Sequence, residues 1–413
     1  MDIRITKAPA GGSVHAIGSK SMAQRLTLAR ALSETECCVS THSHSDDVEK
    51  MLECCRIISA ALHEKRSSVG QPLNVGESGA NLRFLMPIVS ALGLEADFIM
   101  EGSLPERPVE PLIRQLAEHG VTVSRPSREV YHVEGKAGGG IYELPGDVSS
   151  QFISGLLMAL PLTDENSAVK VMGVLQSRPY VDMTLDVLKK SGIEIFEDEP
   201  GVFYIPGNQE YRLTGEHEAG GDWSSAAMWL SSGACSEEGS SLTVEGISSD
   251  SIHGDKAITD ILKGMGADIL WEGNSVTVKA HRLHSRMIDA RDIPDLVPAI
   301  AVAACKAEGK TVIMNAERLR LKESDRIRSI ADVLKRLGAM VNERPDGLEI
   351  FGGYRLKGGT VPSFNDHRIV MMAACLRSQT DGNIIIEDAE AVNKSYPGFF
   401  DDYRMLGGKT EEL

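Results

Sequence analysis

The sequence predicts an α+β protein made of α/β-type repeats: six units of about 70 residues, grouped three and three in two domains. Three observations carry this expectation. The chain has 413 residues, whereas a single hydrophobic core stops growing at roughly 250–300. An amphipathic helix that ends in Gly before a β-rich run recurs along the chain. A second helix, apolar nearly all round, alternates with the first, as a buried helix should.

The amphipathic helices come at Pro111–Gly120 before Val121, Thr184–Gly192 before Ile193, Ile258–Gly266 before Ala267, and Ile330–Gly338 before Ala339. The closing glycines are spaced by 72, 74 and 72 residues. Apolar residues such as Ile258, Ile261, Leu262 and Met265 line one face. Gly suits the position after a helix, where the backbone turns left-handed. The buried helices start at Ser21, Ser78, Ser150, Ser224, Asp295 and Asp366, with intervals of 57, 72, 74, 71 and 71. The first unit is therefore shortened. Gly11–Gly12 and Gly215–Gly221 offer a pair of crossings between domains. The expected organisation is a discontinuous domain of residues 1–18 plus 222–413 and an inserted domain of 19–221.

The charge balance narrows function. There are 43 Lys+Arg against 59 Asp+Glu, a net −16, which disfavours nucleic acid and anionic membrane surfaces as partners. The seven cysteines contain no C-x-x-C pair, so a reducing cytoplasm is expected. Met1–Gly12 has no apolar signal segment, and Leu82–Leu94 is too short to span a bilayer.

Ser and Asp cap helix N-termini, and for any one helix a cap is sufficient explanation. The set carries more. Lys20 and Arg25 flank the first start, Arg83 lies one turn into the second, Ser149, Ser150 and Gln151 crowd the third, and His367 and Arg368 sit at the sixth. Helix N-termini attract anions, so several aimed at one cleft would receive phosphates and carboxylates. Gly18-Ser19-Lys20-Ser21 fails the phosphate-loop pattern because Ser19 separates the Gly from the Lys. Arg320–Arg326 packs five charges into seven residues, most simply a solvated loop. However, Arg107 and Arg178 occupy the equivalent place, before an amphipathic helix, in their own units. His42–Asp47 lacks the spacing of a zinc site and reads as a surface turn. Trp223 and Trp229 read as core.

Taken in order, nine segments resemble the 5-enolpyruvylshikimate-3-phosphate synthase family: Gly18–Arg25, Gly76–Arg83, Glu106–Pro108, Val148–Phe152, Ser177–Tyr180, Asp292–Asp295, Leu321–Arg326, Asn365–Arg368 and Lys394–Pro397. The resemblance covers essentially the whole chain. It implies the enolpyruvyl transferase fold, in which two domains of three βαβαββ-like units each form a pseudo-threefold inside-out α/β barrel, with the active site in the cleft between them. It implies transfer of the enolpyruvyl group of phosphoenolpyruvate to the 5-hydroxyl of shikimate 3-phosphate, by addition and elimination, with no metal or cofactor. The enzyme is expected to be a cytoplasmic monomer acting on small molecules, with no nucleic-acid or membrane partner.

By the same resemblance Lys20, Ser21, Arg25, Ser149, Ser150, Gln151, Ser177, Tyr180, Asp295 and Lys322 bind shikimate 3-phosphate. Lys20, Gly79, Arg107, Gln151, Arg326, Arg368 and Lys394 bind phosphoenolpyruvate. Asp295 is the expected base for the hydroxyl and Glu323 the expected proton donor to carbon, with Lys20 and Lys322 contributing. Two phosphates and two carboxylates total roughly −5 to −6, which these cations would meet. Seven cations would also hold the carboxylates ionised until anions bind, so the acid–base role is expected only in the ternary complex. Domain closure is expected because the cations come from both halves.

Four departures stand out: Ile17 where the family usually has Pro, Glu77-Ser78 for Asn-Ala, Arg318 for Asn and His253 for Gln. Glu77 bears on sensitivity to inhibitors such as glyphosate, and leaves the reaction class unchanged. UDP-N-acetylglucosamine enolpyruvyl transferase shares fold and chemistry, but that family carries a Lys-Asn pair where Lys20-Ser21 stands, and a reactive Cys where this chain has none between Cys55 and Cys235. A non-catalytic anion-binding scaffold would have no use for Asp295 and Glu323 among the cations.

Overall fold

The computed structural model describes residues 1–413. The chain forms two compact units. One comprises Met1–Ser19, Ser43–Ser45 and Gly220–Leu413; the other comprises Lys20–His42 and Asp46–Ala219. No helix is long and apolar enough to cross a membrane.

The inserted unit carries α1 (Lys20–Leu32), α2 (Asp46–His63), α3 (Gly79–Leu92), α4 (Glu110–Glu118), α5 (Ser150–Ala159) and α6 (Arg178–Lys190). Its strands follow one rule. Leu73–Gly76 runs parallel to Ala96–Met100, which pairs antiparallel with Val130–Gly135, itself paired with Val121–Ser127. Gly140–Pro145, Ser167–Met172, Val202–Ile205 and Phe196–Glu199 repeat the pattern. Each parallel pair needs a crossover, and a buried helix supplies it. The shortened first repeat keeps only the parallel pair, Cys37–Ser40 with Gly215–Glu218.

The other unit carries α7 (Trp223–Ala234), α8 (Ile258–Met265), α9 (Val297–Lys306), α10 (Arg326–Arg336), α11 (His367–Cys375) and α12 (Phe399–Met405). Gly12–His15, Ser241–Glu245, Ser275–Lys279 and Asp268–Glu272 form its first sheet. Met287–Asp289, Gly309–Met314, Gly347–Gly352 and Met340–Arg344 form the second. In the third, Gly359–Pro362 lies parallel to Ile384–Glu387, but the two antiparallel strands come from opposite chain ends, Ile3–Lys7 and Lys409–Glu412. Thus all five four-stranded sheets share one topology.

Repeated βα units build both parts of the chain. The sheets stay open: none closes on itself by hydrogen bonding. The barrel-like order is made by sheets packed outside helices, and α7, α9 and α11 pack on one another at the centre of their unit. The four amphipathic helices stop as expected. Gly120, Gly192, Gly266 and Gly338 have φ of 96°, 74°, 112° and 88°, a backbone that L side chains adopt only under strain. Three buried-helix starts shift by one or two residues. α1 opens at Lys20, one residue before Ser21. Ser149, not Ser150, caps α5, and Asp222, not Ser224, caps α7. Where hydroxyls and carboxylates cluster, the cap is the one with extended backbone. Asp295 lies in the 3₁₀ turn Pro294–Leu296 that leads into α9. Trp223 and Trp229 are fully buried.

Helices α3 and α5 meet through a backbone gap. Pro87 inside α3 has no N–H for the Arg83 carbonyl four residues earlier. Gly155 of α5 lies so close to that carbonyl that any side chain would collide with it.

Candidate active site

In the inserted unit the helix N-termini gather cations and hydroxyls. Lys20, the first residue of α1, places Nζ 2.9 Å from Asp47 Oδ2 at the start of α2. Asn81 Nδ2 donates to the Asp47 carbonyl at 2.9 Å, and Gln24 Nε2 donates to Ser78 Oγ and Asn81 Oδ1. One turn beyond Ser21, Arg25 is 2% exposed. Its guanidinium donates to Thr184 Oγ1 at 2.8 Å and to the carbonyls of Ser21 and Tyr180 at 2.7 and 3.0 Å, with the Phe84 ring beneath. Burial pushes Arg25 down to about 10.

Gln151 opens α5 behind the Ser149 cap, whose hydroxyl accepts from the Gln151 N–H. Its side-chain oxygen accepts from Arg83 Nη1 at 2.7 Å, while Arg83 Nη2 donates to the Pro108 carbonyl at 2.7 Å. The Arg107 guanidinium lies over Gly79, where a Cβ would come within 2.9 Å of it. Ser150 is buried, and Ser177 takes the left-handed backbone, φ 55°, that starts α6. Arg178 departs from the expectation that it matches Arg107. It forms an ion pair with Asp182 at 2.6 Å and grips Glu197 through both terminal nitrogens at 2.7 and 2.6 Å. Carboxylates one turn along and on the adjacent strand claim it.

In the other unit the organising group is Arg326, 1% exposed at the start of α10. Its Nη1 donates to Asp295 Oδ1 at 2.8 Å, Nη2 to Glu323 Oε2 at 2.6 Å, and Nε to Asp366 Oδ2 at 2.8 Å. Burial disfavours its charge, but the three carboxylates outweigh that and hold the guanidinium firmly protonated. Arg368 Nη2 lies 3.3 Å from Asp295 Oδ2, and Lys322 Nζ 3.4 Å from Asp295 Oδ1. Three cations thus face three carboxylates. Lys322 is pushed down to about 8, chiefly because its ammonium is desolvated, and also by the charges of Arg326 and Arg318, against the pull of Asp295. Lys394 donates to the Asn365 carbonyl at 2.7 Å.

The expected residues therefore form two groups, one in each unit. Lys20, Ser21, Arg25, Gly79, Arg107, Ser149, Ser150, Gln151, Ser177 and Tyr180 belong to the inserted unit, and Asp295, Lys322, Glu323, Arg326, Arg368 and Lys394 to the other. Sequence reasoning missed several supports. Asp366 was legible only as the start of α11; fully buried, it also anchors Arg326. Asp47 sat in a run read as a surface turn. Asp255 is buried, which pushes its carboxyl up, and it accepts a hydrogen bond from Ser224. His253, one of the departures, accepts from the Asp255 N–H through Nδ1.

Comparison with known proteins shows the family. The family model for EPSP synthase (3-phosphoshikimate 1-carboxyvinyltransferase) matches residues 6–403. A 3-phosphoshikimate 1-carboxyvinyltransferase of Methanothrix thermoacetophila is 41% identical over 99% of both chains. One from Clostridium kluyveri is 37% identical over 97% of this chain and 96% of its own. The EPSP synthase structure from Acinetobacter baumannii superposes with a TM-score of 0.80 at 24% identity, each chain covered fully. The enolpyruvyl transferase NikO from Streptomyces tendae gives 0.78 at 17% identity, covering 100% of this chain and 98% of that one. These two structures speak to the fold, and the sequence relatives separate the shikimate reaction from other enolpyruvyl transfers.

Proposed function

Because the chain belongs to the EPSP synthase family, and so transfers the enolpyruvyl group of phosphoenolpyruvate to the 5-hydroxyl of shikimate 3-phosphate in the shikimate pathway, we propose that the two residue groups described above form its active site and that anion binding switches on its acid–base chemistry. The observation that carries this is Arg326, each of whose three nitrogens donates to one of Asp295, Glu323 and Asp366. Before substrate binds, the two candidate acid–base groups are tied to the cation that the phosphoenolpyruvate anion needs.

When phosphoenolpyruvate binds, its oxygens replace Asp295 and Glu323 on the outer nitrogens of Arg326, with Arg368, Lys394, Lys20, Arg107 and Gln151 as further donors and Gly79 leaving room for them. Asp366 keeps Nε and holds the guanidinium in place. Shikimate 3-phosphate takes Ser149, Ser150, Gln151, Ser177, Ser21, Arg25, Tyr180, Lys20 and Lys322, with the released Asp295 directed at its ring. Glu323 takes up a proton from solvent on leaving Arg326; Asp295 then removes the proton from the 5-hydroxyl as that oxygen bonds to C2 of phosphoenolpyruvate, and Glu323 gives its proton to C3, turning the methylene into a methyl. In the second half the C2–O bond to phosphate breaks, a methyl proton returns to the Glu323 carboxylate, Asp295 gives its proton to the departing phosphate, and the enol ether and inorganic phosphate leave. Lys20 and Lys322 offset charge on the tetrahedral adduct. Both residue groups serve one reaction, so substrate must engage both units.

We infer a cytoplasmic monomer that handles small molecules only; the acidic chain and seven free cysteines support this. The test mixes the protein with phosphoenolpyruvate and either shikimate 3-phosphate or UDP-N-acetylglucosamine and follows phosphate release. Release with the first acceptor alone is expected, and release with only the second would overturn the reading.

A further inference from the structure

The buried helices of the Gly220–Leu413 unit have a second end. Their N-termini present Asp222, Asp295 and Asp366; their C-termini run to Ala234, Lys306 and Cys375. At 1.5 Å per residue, the 12-residue α7 sets these ends about 18 Å apart. At the C-terminal end lies a cavity of about 500 Å³ whose wall includes Lys7, Glu237, Lys306, Arg355 and Arg377. A second recess of about 200 Å³ shares Lys306 and Arg355.

The charges there do not cancel. Arg355 is paired with Asp381 at 2.9 Å, and Arg282 in the second recess with Glu308. Lys7 and Lys306 have neither an ion pair nor a side-chain hydrogen bond. Arg377 donates only to the carbonyl and hydroxyl of Thr380 and to the Thr6 carbonyl, and its Nε is buried without an acceptor. Three uncompensated cations against Glu237 leave an excess of two positive charges in a chain of net −16. Helix C-termini favour cations, which accounts for Lys306 and Arg377 being basic. It accounts neither for the hollow nor for the missing counter-charge. A cavity of this size suits a compact metabolite.

We propose that this cavity is a second anion site, separate from the catalytic groups, that binds a small multivalent anion through Lys7, Lys306 and Arg377. The ligand is a phosphorylated or polycarboxylate metabolite carrying at least two negative charges. Lysines act as point charges toward either group, so both chemistries are covered. The site does not depend on the catalytic reading.

The experiment titrates pyrophosphate and, separately, citrate into the whole protein saturated with shikimate 3-phosphate, by calorimetry. It compares the natural protein with Lys306→Gln and with the Lys7→Gln/Lys306→Gln pair. Binding in at least one arm is expected, weakened tenfold or more in the double variant, with kcat and both KM values unchanged. The responding arm identifies the phosphate or the carboxylate class. Melting in anion-free buffer checks that each variant is folded, and the single variant carries the test if the double one is not. No binding in either arm, or equal binding by natural and variant protein, would overturn the proposal.

Discussion

Lys322 offers the sharpest test of the catalytic cluster. Its ammonium is held near 8 because it is desolvated beside Arg326 and Arg318, although 20% of the side chain stays exposed. A phosphate dianion placed against it would favour the charged form and raise that value. The sign follows: in free enzyme the lysine loses its proton as pH rises through 8, and in the complex it keeps it. Shikimate 3-phosphate binding should therefore take up about 0.5 proton at pH 8 and about 0.1 at pH 7, if the bound value exceeds about 10. Each unit of rise strengthens binding by about 1.4 kcal/mol below pH 8, and affinity falls as pH climbs above it. The ligand's own phosphate, with a second pKa near 6, is already a dianion at pH 8 and contributes little release. Titration calorimetry in buffers of different ionisation enthalpy measures the uptake directly. The perturbation is Lys322→Met, which keeps the length of the stem but cannot titrate; uptake at pH 8 should vanish. Zero uptake in the natural protein, or the same uptake in the variant, would refute the placement of shikimate 3-phosphate against Lys322.

Three further outcomes follow from the geometry. Glu323→Gln should lower kcat about 10²–10⁴-fold while KM for shikimate 3-phosphate stays within a few-fold and that for phosphoenolpyruvate does not rise; near-normal turnover in steady-state assays would end its role as proton donor. Asp366→Asn removes a carboxylate that is 0% exposed from an arginine that is 1% exposed, and should cost about 3–5 kcal/mol in urea unfolding, where a cost below about 1 kcal/mol would show that Asp366 does not anchor Arg326. Gly79→Ala drives a methyl to within 2.9 Å of the Arg107 guanidinium, so KM for phosphoenolpyruvate should rise about tenfold with shikimate 3-phosphate affinity little changed. An unchanged KM would remove Arg107 from that subsite.

The helices were the legible part of this chain because their signals are local. Spacing such as Ile258, Ile261, Leu262 and Met265 marks one face, and a glycine one position past the last turn marks the stop, so α8 ends at Met265 before Gly266. Cap identity was harder: in Asp222-Trp223-Ser224-Ser225 each polar residue can cap, and only the extended backbone at Asp222 decides. The sheets depend on distance in sequence. Ile3–Lys7 lies between strands that begin at Ile384 and Lys409, and no periodicity could pair them. The strand that opens the first repeat of each unit is likewise supplied from far along the chain, Gly215–Glu218 for one and Gly12–His15 for the other. Within the site, conspicuous cations and the helix-start serines announced themselves. Asp366 did not, because a carboxylate at a helix start already has a sufficient reason to be there in capping, and Asp47 did not, because it closes a polar run that reads as a surface turn.

That double use of Asp366 explains how an acidic chain can host polyanions. An unpaired buried guanidinium would destabilise its unit, and a cation cluster without counter-charge would repel itself. Here the positive charges of Arg326, Lys322 and Arg368 are matched in number by Asp295, Glu323 and Asp366, with Arg326 paired to all three carboxylates and Asp295 to all three cations, so the cluster holds together without substrate. Asp366 is also fixed by capping α11, accepting from the Arg368 N–H at 3.0 Å, and it is fully buried, so it cannot leave with the others. Asp295 and Glu323 are 14% and 17% exposed and can be exchanged for substrate oxygens. One carboxylate then holds the arginine while two are released, and the two released are those the proposed chemistry uses. On this account binding and activation are a single exchange. Removing either mobile carboxylate should tighten phosphoenolpyruvate binding even as it slows turnover, because the arginine no longer has to be won from it. Asp295→Asn should therefore lower the dissociation constant of phosphoenolpyruvate in the complex while kcat falls at least 10²-fold; weaker binding together with lost turnover would mean that Asp295 holds the substrate rather than competing with it.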